Sequence, residues 1–148
     1  MLPQNRPAKT VKRIKHFLEV WIAYRMSVSI QIRLVRDSNN SLKDEIFTIA
    51  KGDHDDWRIN HKSYFSQTNS TMYVKTVHLV DQYIMQLFEM VRLDREKYES
   101  VQLDAPCYPV VMVTRKDVLR CTECVHDFVR VVDQVLNNWP MSCRPWSP

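Results

Sequence analysis

The sequence predicts an α+β fold in which three helices pack on a small antiparallel sheet. Three stretches repeat apolar residues at helical spacing, one stretch alternates apolar and polar side chains, and one short continuous apolar run is typical of a buried strand. The predicted order is an N-terminal helix, a β-hairpin, a central apolar helix, one or two further strands and a C-terminal helix. A mostly α-helical bundle is the alternative arrangement.

The N-terminal helix is predicted to begin near Thr10, a residue type that suits the N-cap position. Apolar side chains then follow the 3.6-residue period as far as Ile22, and basic side chains lie on the other side of the helix. The alternation that leads to Leu34 is typical of a strand and can be traced backward along the chain. The boundary between helix and strand is therefore expected between residues 20 and 27.

The hairpin is predicted from a cluster of turn-forming residues at 37–41, which is followed by a second extended run at Ile46–Ile49. The next stretch, 51–70, contains the single glycine of the chain, Gly52, and many polar residues. We expect a long loop there, with at most a short strand near Trp57–Ile59. Loops of this length in compact domains are usually functional or mobile.

The central helix is predicted over Tyr73–Leu93, where apolar side chains occupy most of the helix circumference. A helix of this kind has to be covered on more than one side. Beyond it, the run at 110–113 predicts a buried strand, and an edge strand is plausible at Ser100–Leu103. The closing helix is expected from Val118 to Trp139, because Pro140 ends the helical pattern.

The length of 148 residues indicates one domain with a core large enough to need no disulfide or metal. We expect a flexible arm at 1–9, a single α+β domain at 10–140 and a tail at 141–148. No apolar run is long enough to span a membrane, and no signal-type segment follows the basic N-terminal residues. The expected location is therefore intracellular, in the cytoplasm or the nucleus.

The single glycine excludes several enzyme classes, because phosphate-binding loops, the dinucleotide fingerprint and the nucleophile elbow all require closely spaced glycines. Cys121 and Cys124 have the spacing of zinc and redox sites, but they fall inside the predicted closing helix, where cysteines are usually structural. Whether they bind zinc is left open. The group Asp53–Asp56 with His61 is interpreted as a solvated acidic loop. We therefore predict no catalytic residue, no cofactor and no metal.

Positive charge is concentrated at the N-terminal end, where residues 1–36 hold eight Lys and Arg but one acidic residue, Glu19. Such a segment can attract nucleic acid, although a solvated helix face has the same composition. A nucleic-acid-associated protein is accordingly the alternative function. The candidate phosphate contacts are Lys9, Lys12, Arg13 and Lys15.

The preferred function is a non-catalytic protein–protein interaction or dimerisation module that acts as a scaffold or adaptor subunit. The central helix offers more apolar surface than one sheet face can cover, so a protein partner or a homo-oligomer is expected to cover the rest. A sheet edge near Ile46–Ile49 is a second route, by strand addition. The predicted interface residues are Tyr73, Val77, Val80, Tyr83, Ile84, Leu87, Phe88, Val91, Trp139 and Trp146.

Overall fold

The computed structural model describes residues 8–24, 29–52, 54, 56–93 and 97–120, and it confirms the α+β fold. Its three helices are α1 (Ala8–Tyr24), α2 (Val77–Leu93) and α3 (Arg115–Arg120). Its strands are β1 (Ile30–Val35), β2 (Glu45–Lys51), β3 (Trp57–Ser63), β4 (Thr68–Val74), β5 (Ser100–Asp104) and β6 (Val111–Thr114).

The strands form one six-stranded antiparallel sheet in the order β4-β3-β2-β1-β5-β6. The first four strands are a meander of consecutive hairpins. Helix α2 then takes the chain back across the sheet to β5, which pairs with β1. Within the described residues, β4 and β6 are therefore the two edges of the sheet.

One face of the sheet, the core face, is covered by the helices. Ile32 on β1 lies opposite Phe47 on β2 and Leu103 on β5, and these three side chains are buried. Ring contacts join this face to both long helices, since Phe47 meets Tyr83 of α2 and Trp57 meets Trp21 of α1. The opposite face, which we call the open face, is covered by no helix that the structure describes.

Helix α1 confirms the predicted amphipathic N-terminal helix. Its apolar row, which includes Phe17 and Trp21, is fully buried. Phe17 meets Phe88 of α2 edge to face, with ring centroids 5.1 Å apart, and the Trp21 indole Nε1 donates to Asp81 Oδ1 at 2.7 Å. The helix is described as far as Tyr24, which lies inside the predicted boundary range.

The loop predicted for residues 51–70 is wrong from Trp57 onward, where the chain forms the hairpin of β3 and β4, and the short strand predicted near Trp57–Ile59 is the beginning of β3. Strand β4 reads Thr-Asn-Ser-Thr-Met-Tyr-Val, and most of its side chains are exposed on both faces. No hydrophobic alternation can develop in such a strand, so periodicity does not detect it. The turn uses Gln67 in a left-handed conformation (φ 55°), a role usually given to glycine.

The N-terminal boundary of the central helix is also corrected. Tyr73 and Val74 belong to β4, and α2 begins only at Val77. Thr76 caps the helix, since its Oγ1 accepts a hydrogen bond from the Leu79 backbone N–H at 3.2 Å. The apolar pattern continues across this boundary because the last residues of β4 are apolar too.

The C-terminal elements begin as predicted, with β5 and β6 followed by a helix. Thr114 starts α3 with a reciprocal cap, in which its Oγ1 accepts from the Asp117 backbone N–H and donates to the Asp117 carboxylate. This cap explains why the helix begins at Arg115 rather than at Val118. The predicted continuation to Trp139, the C-x-x-C pair and the tail lie outside the described residues.

Candidate interaction surface

Strand β4 is an edge that lacks the usual protection against pairing with another strand. Among the described strands it pairs only with β3. Its seven residues contain no charged residue, no proline and no glycine, and six of the seven are not buried. Natural sheets normally protect such an edge with charges, prolines, bulges or a short strand length.

The opposite edge shows that protection. Strand β6 has four residues, follows Pro109 closely and runs directly into α3. A strand of that length, bounded by a proline and a helix, offers little backbone to a partner. The two edges of this sheet are therefore unequal, and β4 is the one that can accept a strand.

Exposed apolar side chains lie around β4, as they also do around β6. Tyr73 is 69% exposed and Met72 is 42% exposed. Tyr64 and Phe65 in the preceding turn, and Leu79 in the first turn of α2, are exposed as well. We call this set the β4 edge surface: Thr68–Val74 with Tyr64, Phe65 and Leu79.

The predicted interface on the central helix is largely core. Five of its residues have at most 1% of their surface exposed, because α1 covers one side of α2 and the sheet covers the other. These five cannot contact a partner while the domain is folded. Of the others, Val77 and Tyr83 are partly buried against the core, Tyr73 is exposed on β4, and Trp139 and Trp146 lie outside the described residues. The five core residues are Val80, Ile84, Leu87, Phe88 and Val91.

The edge predicted at Ile46–Ile49 is wrong as well. Strand β2 lies inside the sheet, with β1 on one side and β3 on the other. The edge strand that can accept strand addition is therefore β4, two strands away from β2 in the sheet. The sequence could not show this, because the hairpin of β3 and β4, which pairs with β2, has a polar composition that hid its strands.

The basic residues of α1 have separate environments. Lys12 and Lys15 are exposed. Arg13 is exposed as well, but its guanidinium donates to Asp117 of α3 at 3.2 Å, which links the first helix to the last described one. The side chain of Lys9 lies outside the described part, so three of the four candidate phosphate contacts are placed, and all three are exposed.

His61 does not belong to the acidic loop, because it lies on β3. Its Nε2 lies 2.9 Å from Glu45 Oε1, and its ring stacks on Phe47 at a centroid distance of 4.3 Å. Asp53 and Asp55 are outside the described residues, and His54 is exposed. No group of three or more His, Cys, Asp or Glu side chains within the described ranges is arranged to hold a metal ion.

Glu45 is the centre of a polar cluster that the sequence analysis missed. Its side chain is on the core face of β2 and is buried. Besides His61, it accepts a hydrogen bond from the Tyr98 hydroxyl and pairs with the Arg36 guanidinium at 3.4 Å. The period of two that places Phe47 and Ile49 on the core face also places Glu45 there, so that alternation was the available signal.

The cluster joins chain segments that are distant in sequence. Arg36 lies over the rings of Phe65 and Tyr98, at 4.4 and 5.1 Å from their centroids. Burial, and secondarily the Glu45 charge, raises the pKa of Tyr83 on α2. Both carboxylate oxygens of Glu45 are engaged by neighbours from this chain. The geometry therefore fits a structural link more than a catalytic acid or base.

A second buried carboxylate, Asp44, gives a pH-dependent prediction. Burial raises its pKa, although the Arg33 guanidinium, 3.4 Å from Oδ2, opposes this shift. Between the unfolded pKa of 3.8 and the raised folded pKa, the native state keeps a proton on Asp44 that the unfolded state loses. The Asp44 contribution to stability is therefore full below the unfolded pKa and is lost as pH rises through the folded pKa. We expect the stability of Asp44→Asn relative to that of the wild type to increase over this rise in pH.

Urea unfolding of both proteins at pH 3 and at pH 7 measures this difference. The expected result is a stability difference in favour of Asp44→Asn that is larger at pH 7 than at pH 3. A larger advantage at pH 3 would contradict the raised pKa. Asp37→Asn, a half-exposed position in the same turn, is the control and is expected to change stability by less than about 0.5 kcal/mol.

The open face contains a shallow depression that reaches the β4 edge. Its volume is about 500 Å³, and its lining includes the small side chains of Ala50 and Thr48. Arg58 and Tyr73 line it as well. The Asn60 side-chain amide joins β3 to β4 here, donating to Ser70 O at 3.2 Å and to Thr71 Oγ1 at 3.1 Å. The depression and the edge are therefore continuous parts of one surface.

The chain matches no protein family, no curated protein and no solved structure with which it was compared. None of the described helices combines the length and the apolar composition needed to cross a membrane. The class that the structure defines is thus an α+β domain with one covered sheet face and one unprotected edge strand. Its function has to be argued from that surface.

Proposed function

We propose that this chain is a non-catalytic protein–protein interaction module, acting as a scaffold or adaptor subunit, that binds its partner by strand addition at β4. The observation that carries the proposal is the uncharged edge strand with exposed Met72 and Tyr73. A strand from the partner would continue the sheet at this edge. We place the module inside the cell, in the cytoplasm or the nucleus.

The energetics of strand addition suit this edge. Seven residues span about 23 Å and can form several backbone hydrogen bonds, each contributing about 0.5–1.5 kcal/mol net. Covering an exposed tyrosine and methionine adds a hydrophobic contribution of about 25 cal/mol for each Å² of apolar surface removed from water. Since association also costs rotational and translational entropy, we expect moderate affinity from this strand alone.

The test places positive charges on the proposed interface. The double variant Thr71→Lys/Tyr73→Lys keeps both residues on the open face of β4 but adds two positive charges to the edge. Tagged wild type and variant are expressed in the same cells, and every chain that co-purifies, including untagged protein of the same sequence, is quantified by mass spectrometry. The recovered amount of the specific partner is expected to fall at least tenfold, since charged side chains on an edge strand oppose pairing with another strand.

Met112→Lys is the matched control, because Met112 is an exposed open-face residue on the other edge strand. It is expected to retain the partner at the wild-type level. Equal recovery of every co-purifying chain with the β4 variant and with the wild type would overturn the proposal. Circular dichroism of both variants verifies that the fold is intact.

A nucleic-acid-associated protein remains the second candidate, supported by the exposed Lys12 and Lys15 on α1. Phosphate contacts of this kind predict affinity for a 20-base-pair duplex that falls at least tenfold between 50 and 200 mM salt. Lys12→Glu/Lys15→Glu should abolish that binding. Binding that is unchanged by salt, or by this double variant, would exclude the phosphate mechanism.

A further inference from the structure

We propose that the strand added to β4 is β4 of a second copy of this chain, running antiparallel, with the two-fold axis passing at Thr71. This inference rests on the proposed function and names its partner. The resulting assembly is a symmetric dimer in which two six-stranded sheets join into one continuous sheet of twelve strands.

The register follows from the length of the strand. An axis at Thr71, the middle residue of Thr68–Val74, pairs all seven residues of each copy. It places Tyr73 opposite Asn69 of the partner subunit and Met72 opposite Ser70 of the partner subunit. Directly opposed residues in an antiparallel pair share a face, and this register satisfies that rule, because Tyr73 and Asn69 both lie on the open face.

Charge permits this self-pairing. Strand β4 has no charged side chain, so no like charges meet across the new pair. The nearest cations in one row are Arg58, which pairs with Tyr73, and Lys62 of the partner subunit. Three strand spacings separate their backbones, about 14 Å, which exceeds the screening length of about 8 Å at physiological salt. Repulsion between them is therefore weak.

The exposed apolar side chains acquire neighbours in this register. Met72 becomes a diagonal neighbour of Met72 of the partner subunit on the core face, and Tyr73 becomes a diagonal neighbour of Thr71 of the partner subunit on the open face. In this register the turn that carries Tyr64 and Phe65 lies at the same end of the new strand pair as the start of helix α2 of the other copy, where Leu79 is exposed. The exposed apolar side chains of β4 therefore gain neighbours from one interaction.

An acidic strand from another protein is the competing occupant. Arg58 and Lys62 on β3 would attract it, and the hairpin of β3 and β4 contains no acidic residue. Its charges would, however, find no counter-charge on β4, the strand with which it pairs. The uncharged, self-complementary edge favours the second copy.

The test uses cysteine cross-linking at the two-fold axis. In the proposed register the two Thr71 Cα atoms are about 4.5–5.5 Å apart, which is within the range that a disulfide requires. The background protein has all four native cysteines replaced by serine, and its fold is verified by circular dichroism. Thr71→Cys in this background is oxidised with glutathione disulfide, which accepts the two electrons released when the thiols join, and dimer formation is followed on a non-reducing gel.

Thr71→Cys is expected to form covalent dimer at least tenfold faster than Met112→Cys, the exposed control on the β6 edge. Light scattering of the wild type should show a mass that rises toward twice 17.7 kDa with concentration. Cross-linking no faster than the control would overturn the inference, and faster cross-linking of Ser70→Cys or Met72→Cys would overturn the register.

The failure of this inference is distinguishable from failure of the proposed function. A purified chain that stays monomeric at every concentration, while Thr71→Lys/Tyr73→Lys still loses another protein in the co-purification, overturns the second copy as the partner but supports strand addition. If Thr71→Lys/Tyr73→Lys loses neither a second copy nor another protein, both this inference and the proposed function are overturned.

Discussion

Glu45→Ala is expected to lower the free energy of unfolding by about 3–5 kcal/mol, the range typical when one member of a buried ion pair is removed. The substitution takes the acceptor away from the Tyr98 hydroxyl and the carboxylate away from Arg36 and His61. Both side chains of the pair with Arg36 are at most 10% exposed, so water cannot readily replace the lost partner. Urea unfolding followed by tryptophan fluorescence measures the effect.

Two companion variants separate the contributions. Glu45→Gln keeps an acceptor for Tyr98 but removes the charge, so we expect a smaller loss, of about 1–3 kcal/mol. Glu99→Ala, an exposed glutamate beside the same tyrosine in sequence, is the control and should stay within about 0.5 kcal/mol of the wild type. If Glu45→Ala were as mild as Glu99→Ala, the cluster would not be a structural link.

Trp21→Ala is expected to cost at least about 3–5 kcal/mol, because it removes the largest fully buried side chain of the core. Trp21 joins three elements: it packs in α1, faces Trp57 of β3 at 6.3 Å and donates to Asp81 of α2. The loss therefore combines a large cavity with the loss of a buried hydrogen bond. Circular dichroism during urea unfolding measures it independently of tryptophan emission.

Trp21→Phe divides this effect into its parts. The phenylalanine ring retains much of the packing but cannot donate to Asp81, so we expect a cost of about 1–3 kcal/mol. Leu42→Ala, at an exposed position, serves as the control and should be nearly neutral. A cost for Trp21→Phe equal to that of Trp21→Ala would show that the hydrogen bond outweighs the packing.

The elements that could be predicted from the sequence are those with one covered side. Helix α1 shows its apolar row, and β1 shows its alternation, because Ile30, Ile32 and Leu34 face the core while Gln31 and Arg33 do not. Strand β4 fails this test, since neither of its faces is covered along most of its length. The strand with the most exposed side chains is therefore the one that the sequence pattern does not predict.

The interaction surface could be predicted only in part. Tyr73 is correctly a surface residue, but it was assigned to the central helix because its apolar neighbours continue into α2. A helical pattern shows that a helix is apolar on several sides, and it does not show whether α1 and the sheet cover those sides. The alternation of β2 could have placed Glu45 on the core face, but its partners could not be predicted, since Tyr98 lies 53 positions away in the sequence.

The scarcity of glycine also affects the unfolded chain. Three described non-glycine residues, Gln67, Lys97 and Cys107, adopt the left-handed backbone conformation that glycine adopts without steric cost. Each stores some local steric energy in the native state, but each also narrows the range of conformations open to the chain before it folds. Such a protein loses less backbone freedom at its turns when it folds, and this offsets part of the strain that those turns hold.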